Sequence, residues 1–111
     1  MGTLLEVASM QARWLAARQA VTAENVANAS SPGYLARDVV AFDEALARFS
    51  GARDANIQRS ISTTSWEVRP SGNSVSLENE MVRAADISRS YALNTGIVSA
   101  FHRMTLQALR G

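Results

Sequence analysis

The chain begins with a long stretch whose apolar positions recur with the period of an α-helix. Residues 4–28 include neither Pro nor Gly and are rich in good helix formers such as Ala, Leu, Arg and Gln. At about 100° per residue, the apolar side chains form two neighbouring stripes: Val7, Met10, Trp14 and Val21 in the first, and Leu4, Ala8, Leu15 and Val26 in the second. A helix with so wide an apolar surface needs more than one neighbour, which we interpret as a sign of assembly.

The first helix is predicted to end in a turn built on Pro32 and Gly33, which lie in the sequence Asn-Val-Ala-Asn-Ala-Ser-Ser-Pro-Gly-Tyr. Pro32 keeps Ser31 out of the αR region and Gly33 can adopt a positive φ, so the pair is typical of the centre of a type II turn. Asn25 and Asn28 stand one helical turn apart just before it. Because Asn tolerates αL geometry and bonds nearby backbone, the residues alone favour helix capping and turn chemistry for this pair.

Beyond the turn the helical periodicity is lost. Residues 36–42 are predicted to be extended, and residues 43–49 to form a short helix with Asp43 at the N-cap. Between residues 50 and 73 the composition shifts to Ser, Thr, Arg, Asn and Gly. The β-favouring residues within 58–69 allow a strand or a loose hairpin, and disorder in the free subunit is the alternative.

A second long helical pattern begins after Ser76, a suitable N-cap, and runs to about Leu109. Its length of roughly 33 residues corresponds to about 50 Å at 1.5 Å per residue. Its apolar positions lie close to a heptad register: Leu77, Ala84, Ile87, Tyr91, Val98, Phe101 and Ala108. Such a register predicts a coiled-coil partner, although Glu80, Asn94 and Thr105 interrupt the stripe.

These patterns predict a mainly α fold in which two long terminal helices pack as an antiparallel-type coiled-coil hairpin, with a short irregular or weakly β middle segment. The predicted units are an N-terminal helix in residues 1–30, a turn, short helix and polar segment in residues 31–75, and a C-terminal helix in residues 76–111. The side chains expected to pack the helices, within the chain or against neighbouring subunits, are Val7, Met10, Trp14, Leu15, Val21, Val26, Leu77, Ile87, Tyr91, Val98, Phe101 and Met104.

Composition and charge argue against several functional classes. The 111 residues fit one domain, and 11 basic residues, all of them Arg, nearly balance 10 acidic residues. Such a balance argues against a nucleic-acid partner, because nucleic-acid binders usually carry a basic face. The absence of Cys excludes disulfides and thiolate metal sites.

The apolar stretches are shorter than a membrane span, and the start of the chain lacks the features of a signal peptide. We therefore expect no direct membrane insertion. The protein is expected either to stay in the cytoplasm or to leave by a route that uses no cleaved signal.

Residues able to perform chemistry are few and poorly grouped. The single histidine, His102, lies within the C-terminal helical pattern, and adjacent acids such as Asp43 and Glu44 do not share a helix face. Neither a Gly-rich phosphate loop nor the spacing of a nucleophile triad stands out. We therefore expect no enzyme activity, no catalytic residues, no cofactor and no metal site.

Three motifs together resemble the bacterial flagellar basal-body rod protein family. The run Asn-Val-Ala-Asn-Ala-Ser-Ser-Pro-Gly-Tyr is similar to a signature near the N-terminus of flagellar rod and hook proteins. Residues 34–46 (Tyr-Leu-Ala-Arg-Asp, then Phe and Ala-Leu) and 72–81 (Gly-Asn-Ser-Val-Ser-Leu-Glu-Asn-Glu-Met) resemble runs of the B-type proximal rod proteins. The assembly-motif residues that the resemblance implies are Asn25, Asn28, Ser31, Pro32, Gly33 and Tyr34.

The resemblance implies a structural subunit of the proximal rod that self-assembles helically into a torque-transmitting drive shaft. It implies homo- and hetero-oligomeric contacts with copies of the chain, other flagellar rod proteins, the ring-to-rod adaptor, the membrane ring and the flagellar export apparatus. It further implies a place in the periplasmic rod of the basal body, reached by type III export without signal cleavage. The alternatives are a C-type proximal rod protein or the ring-to-rod adaptor and, more distantly, a soluble helical adaptor or secretion chaperone.

We further predict that the free monomer is poorly folded. In a two-helix hairpin each helix buries one face, whereas the apolar residues of the first helix occupy two stripes. Ordering the backbone costs about 1–2 kcal/mol per residue, and a short, Ala-rich chain gains little apolar burial to offset that cost. Neighbouring subunits would then complete the fold on assembly.

Overall fold

The computed structural model describes residues 3–50 and 66–110. Its elements in chain order are α1 (Thr3–Ala27), β1 (Leu35–Val39), α2 (Phe42–Ser50), β2 (Val68–Ser74) and α3 (Leu77–Arg110). The long terminal helices and the short two-stranded sheet between them confirm the predicted mainly α fold with a weakly β middle segment. Most of the strand or hairpin predicted at residues 58–69 lies outside the described residues.

Helices α1 and α3 lie antiparallel along the long axis of the molecule, which measures 61 Å. The end of α1 meets the start of α3, where the Asn25 side chain lies 2.9 Å from the carboxylate of Glu80. The start of α1 meets the middle of α3, where Asn94 donates to the backbone oxygen of Ala8 at 3.0 Å. With 34 residues against 25, α3 is the longer helix, and its last turns extend past the described start of α1.

The two apolar stripes of α1 face two different elements of the same chain. On the first stripe, the Trp14 indole donates to the backbone oxygen of Val40, just after β1, at 2.7 Å, and Val21 is buried. On the second stripe, Leu15 is fully buried on the face that meets α3, while Val26 at its end is 46% exposed. The chain itself covers most of this surface, whereas Leu4 and Val26 remain 44% and 46% exposed. The width of the apolar surface of α1 therefore does not by itself require a neighbouring subunit.

Strands β1 and β2 form an antiparallel ribbon that packs on α1. In the register of the ribbon, Val39 lies opposite Val68 and Arg37 lies opposite Pro70. Pro70 has no N–H to donate, which is tolerated because the backbone N–H and C=O of Arg37 point away from it, toward α1. The strand confirms the extended conformation predicted from residue 36 as far as Val39, whereas Phe42, the last residue of that prediction, already belongs to α2.

Helix α2 begins one residue earlier than predicted. The N–H of Ala45 donates to the backbone oxygen of Ala41 at 3.1 Å, so Ala41 occupies the N-cap position. The prediction of Asp43 as the N-cap is wrong. Asp43 lies instead in the first turn, where its negative charge complements the helix dipole.

Four exposed charged side chains form a ring that joins α2 to β2: Glu44 and Arg48 of α2, Glu67 just before β2, and Arg69 of β2. Arg48 donates to Glu44 at 3.2 Å and also to Glu67. Arg69 donates to Glu67 at 2.7 Å and to Glu44 at 2.8 Å. Hydrogen bonds from Arg69 and Arg48 lower the pKa of the Glu67 carboxyl, and the same contacts with Glu67 and Glu44 raise the pKa of Arg69.

Helix α3 begins as the sequence predicts. The hydroxyl of Ser76 accepts a hydrogen bond from the N–H of Asn79 at 3.4 Å, and its backbone oxygen accepts one from the N–H of Glu80 at 3.0 Å. Ser76 is therefore the N-cap, because its side chain satisfies a donor of the first turn.

The face of α3 toward α1 differs from the predicted heptad stripe. Its buried residues are Glu80, Ile87 and Asn94, so two residues that we regarded as interruptions occupy its centre. Leu77, which opens the predicted stripe, is 54% exposed. We call the line of α3 residues facing α1 the α1–α3 seam; its members are Glu80, Ile87, Tyr91, Asn94 and Val98. Burial of the polar members is tolerated because each is hydrogen-bonded.

Candidate assembly site

The Pro-Gly segment forms the predicted turn. Gly33 has a φ of 75°, and the N–H of Tyr34 donates to the backbone oxygen of Ser31 at 3.2 Å. A positive φ at the third residue and this hydrogen bond are the features of a type II turn. The chain leaves α1, reverses direction and enters β1, so the turn sets where the ribbon meets α1.

Asn28 performs the capping role predicted for it. Its side-chain amide donates to the backbone oxygen of Glu24 at 2.9 Å, and its N–H donates to the same oxygen at 3.0 Å. These bonds satisfy a carbonyl of the last helical turn, which has no partner further along the helix. The capping interpretation therefore holds for Asn28.

Asn25 has a different role, which the sequence analysis missed. Its side chain is fully buried and donates to the backbone oxygen of Arg37 at 2.8 Å and to Glu80 at 2.9 Å. Its amide oxygen accepts from the N–H of Arg37 at 3.0 Å and from the Tyr34 hydroxyl at 3.1 Å. Both donors and both lone pairs of the amide are thus used. Asn25 is a link between α1, β1 and α3, not a helix cap.

The Asn25 side chain can pair with the backbone of Arg37 because a side-chain amide has the same kinds of donor and acceptor as a peptide group. Asn25 bonds both the N–H and the C=O of Arg37, as a neighbouring strand would, and so covers the edge of β1 opposite β2. Unpaired buried backbone groups are costly, so this contact fixes β1 on α1. A local sequence reading cannot find such a partner, because Arg37 is distant along the chain.

Charged side chains extend the link. Arg83 donates to Glu80 at 3.1 Å and lies 3.5 Å from Asp38, which Arg18 also bonds, at 3.1 Å. The side chains of Arg83 and Glu80 are 15% and 1% exposed, so this pair lies in the interior and is held by hydrogen bonds on both members. Breaking one member of such a pair is expected to cost more than the pair contributes, because the other charge stays buried.

At the edge of this network, Arg37 is exposed and its guanidinium donates to Glu24 at 2.7 Å. Hydrogen bonds with the Tyr34 side chain and with Glu24 raise the pKa of Arg37. The Tyr34 hydroxyl donates to the buried amide oxygen of Asn25 at 3.1 Å, beside the exposed Arg37.

A second polar contact lies two heptads further along the seam. Asn94 is buried and donates to the backbone oxygen of Ala8 at 3.0 Å and to the side-chain oxygen of Gln11 at 2.9 Å. Between the two contacts, the Tyr91 hydroxyl donates to the backbone oxygen of Ala12 at 3.2 Å. Polar hydrogen bonds from Glu80, Tyr91 and Asn94 to defined positions of α1 thus recur along the seam.

The residues predicted to pack the helices fall into three groups by exposure. Four are buried in the single chain: Met10, Leu15, Val21 and Ile87. Five are partly buried: Val7, Trp14, Tyr91, Val98 and Phe101. Three are exposed, at 46%, 54% and 61%: Val26, Leu77 and Met104. A packing role for the exposed group concerns contacts outside the chain and stays a prediction.

Helix α3 carries a second apolar stripe that the sequence analysis did not identify. We call it the outer apolar face; its members are Val82, Leu93, Ile97 and Met104, which are 64%, 66%, 45% and 61% exposed. At about 100° per residue, they lie on one side of the helix, turned away from the α1–α3 seam. Leu93, Ile97 and Met104 also follow heptad spacing, as residues that pack against a further helix do.

Beyond this face lies an open groove of about 390 Å³ at the described start of α1. Its lining is largely apolar and consists of Leu5, Val98, Ser99, Phe101, His102 and Thr105. From the groove to the end of α3, residues 102–110 are all exposed. His102 lies at this open edge, and among the described residues no group of His, Asp and Glu could hold a metal ion. In the described part of the chain, no helix is long and apolar enough to cross a membrane.

Comparison with known proteins supplies the family. No family model matches the chain. The chain is 36% identical to the flagellar basal body rod protein FlgB of Agrobacterium fabrum (strain C58), and the alignment covers 96% of this chain and 92% of that protein. The alignment therefore spans nearly the whole chain. The chain belongs to the FlgB family of flagellar basal body rod proteins.

Proposed function

We propose that the chain is a structural subunit of the proximal rod and assembles helically with copies of itself and with other flagellar rod proteins. In this role it performs no catalysis. Its further proposed partners are the ring-to-rod adaptor, the membrane ring and the export apparatus. Its proposed location is the periplasmic rod, reached by type III export without signal cleavage.

The observation that carries this proposal is the outer apolar face of α3. Three of its members, Leu93, Ile97 and Met104, expose 45–66% of their surface in the single chain. Burying a large apolar side chain contributes about 1.5–3 kcal/mol, so a helix from a neighbouring subunit would be stabilised on this face. Exposed contiguous apolar surface of this kind marks an interaction site in a soluble protein.

We also propose which parts of the chain form the assembling core and which lie outside it. The helices of residues 1–30 and 76–111 would form the assembling core, and residues 31–75 would lie outside it. The type II turn at Ser31–Tyr34 supports this division, because it turns the chain off the end of α1 and onto the side where β1 packs. The outer apolar face lies on α3 and is turned away from the seam, so the core keeps one side for neighbours.

The test is to place a charge on the outer apolar face. Leu93→Arg is expected to prevent incorporation into basal bodies and to abolish swimming, because a buried unpaired charge is strongly disfavoured. Export of the subunit is expected to continue. Thr95→Arg is the matched control, since Thr95 is also exposed on α3 but lies on neither apolar stripe. Normal amounts of the Leu93→Arg subunit in purified basal bodies would refute the proposal.

The alternatives are separated by complementation and by solution behaviour. The chain is expected to restore rod assembly in a strain that lacks its own B-type rod protein. Restoration only in a strain lacking the C-type protein or the adaptor would overturn the B-type assignment. A stable, well-dispersed homodimer in dilute solution would instead favour a soluble helical adaptor or chaperone.

A further inference from the structure

We propose that Glu80 and Asn94, the two buried polar residues of the α1–α3 seam, determine the register in which α1 and α3 pack. They thereby set how far α3 projects beyond α1. The register concerns packing within one chain and is independent of the proposed function. Only its consequence for rod assembly rests on that function.

The apolar residues along this face of α3 cannot specify a register by themselves. Ala84, Tyr91 and Val98 follow one another at intervals of seven residues, so a slip of seven residues replaces one of these apolar side chains by another. The positions seven residues on either side of Ile87 are instead the polar residues Glu80 and Asn94. The same hydrophobic burial is available in several registers, because the hydrophobic effect is not directional. Polar groups differ, since each needs a partner at one place.

Glu80 supplies the first fixed point. Its carboxylate accepts from Asn25, and Asn25 is itself held by both backbone groups of Arg37. The partner of Glu80 therefore cannot follow a sliding helix. A slip of seven residues would set Ile87 against Asn25 and leave one N–H of the Asn25 amide buried without an acceptor. Such an unsatisfied buried donor costs more free energy than a typical hydrogen bond contributes.

Asn94 supplies the second fixed point, close to the other end of α1. Its amide donates to the backbone oxygen of Ala8 and to the side chain of Gln11. Replacing Asn94 by an apolar residue would lengthen the apolar seam between Ile87 and Val98. The sequence thus places an amide where a leucine would fit, as single buried Asn residues do when they fix the register of coiled coils.

The register has a geometric consequence at the far end of the hairpin. With Asn94 against Ala8, residues 102–110 of α3 pass the described start of α1 and are exposed. A slip of seven residues would lengthen or shorten this projection by about 10 Å at 1.5 Å per residue. It would also move the outer apolar face along the axis, and a helical lattice of subunits depends on that position.

The experiment measures the register directly by pulsed electron paramagnetic resonance. The chain contains no Cys, so spin labels on Gln19→Cys and Thr95→Cys report one intramolecular distance. Both positions are exposed and they are staggered along the hairpin. The full chain is measured in an osmolyte such as TMAO, which favours the compact state, with helical content followed by circular dichroism.

Four labelled chains are compared: the parent, Asn94→Leu, Glu80→Leu with Asn94→Leu, and Glu78→Leu with Asn79→Leu. The last makes the same two exchanges at exposed positions of α3 and is the matched control. The parent, the single variant and the control are expected to give one narrow distance. The Glu80→Leu, Asn94→Leu double variant is expected to keep its helical content and to gain a second distance, displaced by up to about 10 Å.

A single parent-like distance in the double variant would overturn the proposal. Loss of its helical content would overturn it too, because the polar residues would then be needed for stability and not for register. Incorporation into basal bodies is the second measurement and is expected to fall with the shift in register. A shifted register with normal incorporation would remove the consequence for assembly while leaving the register assignment in place.

Discussion

The substitution Asn25→Leu tests whether the buried amide joins α1, β1 and α3. Leucine has a similar volume and a better helix propensity than asparagine, so neither a large cavity nor a weaker helix is introduced. Any loss of stability must therefore come from the hydrogen bonds that Asn25 makes to Arg37, Glu80 and Tyr34.

The magnitude follows from which groups keep another partner. The backbone oxygen of Arg37 and the carboxylate of Glu80 both still accept from Arg83, at 3.2 and 3.1 Å. The N–H of Arg37 loses the bond that Asn25 provides. An orphaned buried donor costs about 1–3 kcal/mol and a lost bond to a charged group about 1.5–3 kcal/mol, less several tenths regained by helix propensity. We expect Asn25→Leu to lower the free energy of unfolding by about 2–5 kcal/mol.

The assay is urea unfolding of the full chain, followed by far-UV circular dichroism in an osmolyte that favours the folded state. Asn28→Leu is the matched control, because it makes the same exchange one turn later. The Asn28 side chain is less buried and donates to the Glu24 backbone oxygen. This variant is expected to lose about 1 kcal/mol or less. Equal midpoints for the two variants would refute the assignment of Asn25 as the link between the three elements.

Other predictions address the turn, the C-terminus, the charged ring and the free monomer. Gly33→Val is expected to stop rod assembly while export continues, because Gly33 has a φ of 75°, which a β-branched residue strongly disfavours; normally swimming cells would show that the turn is dispensable. Deleting residues 101–111 is expected to prevent incorporation into basal bodies, as measured by immunoblotting of purified basal bodies. Hydrogen bonds from Arg69 and Arg48 lower the pKa of Glu67 from its ordinary value of 4.5. The free energy of folding that these contacts contribute is therefore present above pH 4.5 and is lost as the pH falls through the lowered pKa. Glu67→Gln is expected to remove this contribution, so that acid unfolding of the variant depends less on pH. The free monomer is still predicted to be poorly folded, and a sharp cooperative melt with slow amide exchange in both long helices would contradict this.

The structure changes the reasoning behind that last prediction. The wide apolar surface of α1 needs no neighbouring subunit at Val21, which is buried, or at Trp14, which donates to Val40 just after β1. The outer apolar face of α3, which the single chain leaves exposed, and the small apolar burial of a short chain still support a poorly folded monomer. The exposed apolar surface available to neighbouring subunits therefore lies on α3 and, at Leu4, Leu5 and Val26, on α1.

Features that depend on local sequence were predicted well. The period of the apolar residues gave both long helices, Ser76 marked the start of α3, and the Pro-Gly pair marked the turn. Each depends on the backbone preferences or hydrogen bonds of residues within about one turn of each other. The family followed from motifs of the same kind, because a run of residues is read directly from the chain.

Features that join distant parts of the chain needed the tertiary structure. Glu80 and Asn94 read as interruptions of an apolar stripe, yet they lie at its centre, because Asn25 and the start of α1 supply their partners. Strand β2 includes Pro70, which β propensity alone would place outside a strand. By itself the sequence determined the helices, the turn and the family, since those depend on short-range preferences. The tertiary structure alone decided which polar groups are buried, because burial of a polar group is stable only where a partner from elsewhere in the chain meets it.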